Sequence, residues 1–172
     1  MYKEFFNNFL EKHEEKSKVI CIDGVVGVGK STFSEILSQE LNIELYQEPV
    51  LNNPLLDKFY HDKKRYSFPL QIFFLNKRFQ MIQEALTKGN CLMDRSIYGD
   101  IIFSKMLYLD GDMTKEEFNV YQELLETMLK LVKRPNLMIY LKSSVDKNNK
   151  KIERRGRDYE LEVPREYWES LN

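Results

Sequence analysis

Apolar residues along the chain fall into two kinds of run. Four are short and continuous: Lys18–Asp23 (KVICID), Ile43–Gln47 (IELYQ), Cys91–Asp94 (CLMD) and Leu137–Lys142 (LMIYLK). Unbroken hydrophobicity of this length predicts strands buried on both faces. Between them, Ser31–Leu41, Phe68–Leu86, Ile97–Leu107 and Lys115–Val132 repeat apolar positions at helical spacing. Strands alternating with helices predict βαβ crossovers, hence an α/β fold in one domain, residues 1–172, with a parallel sheet and helices on both faces. Ahead of the first strand, Phe5, Phe6, Phe9 and Leu10 share a helical face before the charged EKHEEKSK. That segment is either an amphipathic helix docked on the domain or an arm for a partner.

Composition narrows the partners. Of 172 residues, 26 are Lys or Arg and 27 Asp or Glu, and the net charge of −1 gives no footprint for a nucleic acid polymer. No apolar run has membrane-spanning length, and the opening residues are too acidic for a signal or transit peptide, so a cytoplasmic chain without a membrane partner is expected. Cys21 and Cys91 each fall inside a predicted strand, outside any metal spacing, and read as reduced core residues. A metal is therefore expected only with a phosphate ligand. His13 and His61 stand in charged stretches and read as solvated.

The first strand runs into DGVVGVGKST, which meets the spacing GxxxxGK[ST]. Gly24, Val25, Val26, Gly27, Val28 and Gly29 supply a turn whose backbone N–H groups can cradle phosphates at a helix N-terminus. Lys30 can reach the outer phosphates, and Ser31, followed by Thr32, can offer a hydroxyl to Mg²⁺. No [NT]KxD motif of a GTPase occurs, and the chain is short for a motor, which leaves phosphoryl transfer to a small acceptor.

In an open α/β sheet the ligand crevice lies at the carboxyl ends of the strands. The second run ends at Glu48-Pro49, the third at Asp94-Arg95, and the stretch after the fourth reaches ERRGRDYE. Glu48 can accept the proton of an attacking hydroxyl. Asp94 can hold Mg²⁺ directly or through water, and Arg95 can steady Glu48 or the transferred group; a plain Glu48–Arg95 ion pair is the alternative. Arg154, Arg155 and Arg157 around Gly156 suit a lid over phosphates, or a solvated basic helix end.

GVVGVGKST, EPV, FPLQIFF, DRSIYGD and RRGRDYE, in that order from Lys18 to Asn172, resemble the deoxynucleoside kinase family. The resemblance implies a P-loop kinase fold and Mg²⁺- and ATP-dependent phosphorylation of a deoxynucleoside 5′-OH. It implies Glu48 as base, Arg95 near the 5′-OH, Asp94 helping to hold Mg²⁺, Tyr60 and Glu160 on the sugar 3′-OH, and Arg155 and Arg157 on donor phosphates. Gln71 would bond the base. Arg78 with Asp100 would favour a purine or cytosine, with an interhelical salt bridge as the alternative, and Phe74 and Phe103 are candidate stacking walls, with plain core aromatics as the alternative. It also implies a homodimer through Ile97–Leu107 and Lys115–Val132. Two departures stand out: Asp23 where the family tends to have Glu, and no run for the family's fifth strand before YWESLN. Rival readings are a nucleoside monophosphate kinase, such as a thymidylate kinase, and a non-catalytic nucleotide-binding module.

Overall fold

The computed structural model describes residues 2–11, 17–50, 53–156, 163 and 165–170. In chain order these form α1 (Tyr2–Glu11), β1 (Val19–Gly24), α2 (Lys30–Leu41), β2 (Glu44–Tyr46), α3 (Leu56–His61), α4 (Lys63–Lys88), β3 (Cys91–Asp94), α5 (Asp100–Leu109), α6 (Lys115–Leu129), β4 (Leu137–Leu141), α7 (Val145–Arg155) and α8 (Arg165–Ser170). The strands pair in parallel in the order β2-β3-β1-β4.

Every residue of β1 and β3 is buried, as continuous apolar runs require. The expectation fails for the outer two. β2 is only three residues long and only Tyr46 is buried, and β4 alternates, with Met138 and Tyr140 exposed. Both are edge strands, so half of their side chains lack a covering layer.

Helices do cover both faces. Ile20, Ile22 and Leu92 pack with Phe6 of α1 and Leu37 of α2. Cys21, Cys91 and Met93 pack with Leu75 of α4, Leu107 of α5 and Tyr121 of α6. The opening aromatic segment is thus a docked helix, and the buried Lys18 ammonium donates to the Leu10 carbonyl near its end. Burial pushes the Cys21 and Cys91 thiols up to about 12 and leaves both free.

Three helices differ from their apolar patterns, α6 by ending at Leu129 rather than Val132. α4 begins five residues before Phe68, with Asp62 accepting from the Arg65 N–H as its cap, and carries Pro69 inside it. Ile97–Gly99 is a tight 3₁₀ turn, and α5 starts only at Asp100. α3 is too short for periodicity to reveal. No helix among the described residues is long and apolar enough to cross a membrane.

Because β1 leads outward past β3 to β2, while β4 lies on its other side, the strand order reverses at the β1–β3 seam. A crevice opens at the carboxyl ends of such a seam.

Candidate active site

The donor side is made of backbone. Gly24, Gly27 and Gly29 take φ of 148°, 79° and 106°, and a Cβ on Gly27 would stand 2.6 Å from the Asn148 carbonyl oxygen of α7. Only glycine permits that approach. No side chain caps α2 at Gly29, so its positive end is left to the cleft. Lys30 Nζ donates to the Val25 carbonyl at 3.0 Å. Burial, assisted by Arg95, lowers its ammonium to about 8 against the opposing pull of Glu48 and Asp94.

Ser31 Oγ donates to Asp94 Oδ2 at 2.6 Å, while Asp94 Oδ1 is buried without a hydrogen-bond partner. Burial raises the Asp94 carboxyl. A hydroxyl and an incompletely satisfied carboxylate side by side are the hard oxygen donors Mg²⁺ prefers, so this pair fits the ion.

The acceptor side is made of charged side chains. Glu48 stands two residues beyond β2, in a turn where the Val50 N–H donates to its carbonyl at 2.8 Å. Its Oε1 lies 2.6 Å from Arg95 Nε and 3.6 Å from Arg78 Nη2. Burial raises the Glu48 carboxyl, but Arg95, Arg78 and Lys30 outweigh it and hold the group at about 2. Arg78 Nε donates to Asp100 Oδ2 at 2.8 Å. Arg95 has a left-handed φ of 84°, and its guanidinium lies 4.8 Å from the Phe103 ring centroid.

A cleft of about 460 Å³ separates the two sides. Val26, Gly27, Gly29, Lys30, Ser31 and Thr32 line one wall, and Glu48, Arg95, Tyr60, Gln71, Phe74 and Phe103 line the other. Arg154 and Arg155 reach it from α7. Arg78 and Asp100 do not line it: they are 1% and 3% exposed and bonded to each other behind the wall. Gln71, two turns earlier on α4, holds the wall position and accepts from Ser104 Oγ at 3.4 Å. Gly24 and Val25 border a neighbouring cavity of about 250 Å³ instead, and Val28 is buried. Arg157, Glu160 and His13 lie outside the described residues.

Two polar residues of the cleft have no motif to announce them. Lys151, one helical turn before Arg155, donates from Nζ to the Val28 carbonyl at 2.8 Å. The four-residue spacing from Arg155 was its only sequence signal. Tyr167 of α8 also lines the cleft, and burial raises its phenol.

The family model for deoxynucleoside kinases matches residues 20–172. The chain is 40% identical over 166 residues to a deoxyadenosine/deoxycytidine kinase of Bacillus subtilis, covering 94% of this chain and 76% of that one. It is 43% identical over 147 residues to a deoxyguanosine kinase of Lactobacillus acidophilus, covering 83% and 64%. The structure of a deoxyadenosine kinase from M. mycoides with the products dCMP and dCDP superposes with a TM-score of 0.83 at 34% identity, covering 90% of this chain and 79% of that one. The chain therefore spans from just under two thirds to about four fifths of these relatives' lengths. With the match running from the second residue of β1 to Asn172, the chain belongs to the deoxynucleoside kinase family.

Proposed function

We propose that the chain transfers the γ-phosphoryl group of ATP to the 5′-OH of a deoxynucleoside, with a purine deoxynucleoside or deoxycytidine preferred. The observation that carries this reading is one cleft bordered by a phosphate loop on one side and an ionised, arginine-clamped carboxylate on the other. The base preference is supported by the relatives named for deoxyadenosine, deoxycytidine and deoxyguanosine, while Gln71 on the wall offers an amide to whichever base is bound.

The loop amides, Lys30, Arg155 and Arg157 hold the phosphates. Ser31 and Asp94 hold Mg²⁺, which when bound neutralises charge on the transferring group. Tyr60 and Glu160 orient the sugar, while Phe74 and Phe103 flank the base. Glu48 accepts the hydroxyl proton. A carboxylate held near 2 is a weak base, so the proton moves as the phosphorus–oxygen bond forms and the hydroxyl becomes acidic. The enzyme works in the cytoplasm as a homodimer, its helices meeting where Ile102 and Leu109 of α5 and Val120 of α6 are exposed.

Incubation with ATP·Mg²⁺ and each of the four deoxynucleosides and their monophosphates tests this. Conversion of deoxyadenosine, deoxyguanosine or deoxycytidine to the 5′-monophosphate is expected, and Glu48→Gln should lower kcat at least about 100-fold with ATP affinity little changed. Phosphorylation of monophosphates alone would overturn the acceptor class. Nucleotide binding without any transfer would favour a binding module.

A further inference from the structure

Asp23 precedes the phosphate loop and is 8% exposed. The loop pattern gives it no task. Its Oδ1 accepts from the Ser96 N–H at 2.9 Å and its Oδ2 from Ser96 Oγ at 2.5 Å. Gly99 lies so near that a Cβ there would stand 3.4 Å from Asp23 Oδ1. Ser96 follows Arg95, and the Arg95 N–H donates to the Ile22 carbonyl at 2.9 Å. The two peptides flanking Arg95 are thus pinned to consecutive residues of β1.

Between those pins Arg95 adopts φ 84°, a conformation a non-glycine residue keeps only where its surroundings impose it. From that turn its guanidinium reaches Glu48. We propose that Asp23 is a positioning residue for phosphoryl transfer: by holding Ser96 it fixes the left-handed turn at Arg95 and so aims the guanidinium at Glu48. The donor loop and the acceptor carboxylate are registered to one another through this contact. The transfer step itself rests on the function proposed above, whereas the aiming of Arg95 does not.

The test uses Asp23→Ala and Ser96→Ala, read by the side-chain Nε–H resonance of Arg95, assigned by its loss in Arg95→Lys. Asp23→Ala should abolish or broaden that resonance and lower kcat 10- to 100-fold, with KM for ATP within threefold. Ser96→Ala should lower kcat three- to tenfold, and the double variant should be no worse than Asp23→Ala. An unchanged resonance in Asp23→Ala overturns the proposal whether or not the wild type transfers phosphate, as do additive losses in the double variant. Should Asp23→Ala fail to fold, an unchanged resonance and kcat in Ser96→Ala overturn it equally. A wild type without turnover, with the resonance still sensitive to Asp23, refutes the kinase reading alone.

Discussion

The two walls of the cleft are built from different materials. On the donor side the groups that matter are peptide N–H and glycine Cα atoms, and its two lysines, Lys30 and Lys151, rest on the loop carbonyls of Val25 and Val28. On the acceptor side Asp100, Arg78, Glu48 and Arg95 form a chain of charges, each bonded or ion-paired to the next. A backbone cradle depends on shape, and its failures should appear in nucleotide affinity. A buried charge chain depends on completeness, and its failures should appear in stability and in the chemical step.

The largest break belongs to the acceptor side. Arg78→Met leaves Asp100 buried and unpaired, which should cost about 3–5 kcal/mol, measured from the urea midpoint. Burial already raises the Asp100 carboxyl, against the pull of Arg78. With Arg78 gone it should rise further, so the variant regains stability as the pH falls and Asp100 takes up a proton. Arg78→Met/Asp100→Leu should recover most of the loss at neutral pH, and failure to do so would show that Arg78 acts through Glu48 instead.

Gly27→Ala breaks the donor side. The added methyl meets the Asn148 carbonyl at a φ that disfavours any side chain, a strain of about 1–3 kcal/mol. ATP affinity should fall at least about tenfold by calorimetry, while the Arg95 Nε–H resonance stays in place. Loss of that resonance would mean that the two walls are not separable.

The smallest effect sharpens the contrast through pH. Lys30 sits near 8 instead of its ordinary 10.5, so its charge is lost as pH rises through about 8. Phosphate restores that charge, so ATP binding above pH 8 should take up a proton and weaken by up to about tenfold per pH unit. Titration in buffers of different ionisation heat detects the uptake. For the fold itself the sign is opposite: the unfolded chain binds the extra proton between about 8 and 10.5, so Lys30 makes stability rise with pH there.

The same division explains what the sequence disclosed. The β1–loop–α2 unit is legible because left-handed turns and a close helix approach demand glycine at fixed spacing, and a buried central strand demands an unbroken apolar run. Glu48, Asp94 and Arg95 are legible as polar residues at strand ends. The Asp23–Ser96 contact spans 73 positions, and no local pattern records it. Arg78 and Gln71 share a face of α4, yet periodicity could not tell that one lines the cleft and the other lies behind it. α7, with only Asn148 and Ile152 buried, has too thin an apolar stripe to mark where Lys151 points. Edge strands mislead in the opposite way, since β4 reads as buried from composition alone and its exposure depends on what stands beside it.

Cys21 and Cys91 lie in the two innermost strands, with both thiols held protonated by burial. Oxidants and alkylating reagents attack the thiolate, which here forms only once the centre of the sheet has parted. Thiol chemistry in this chain is therefore a record of its opening rather than of its surroundings, and alkylation of either cysteine should report the unfolded fraction.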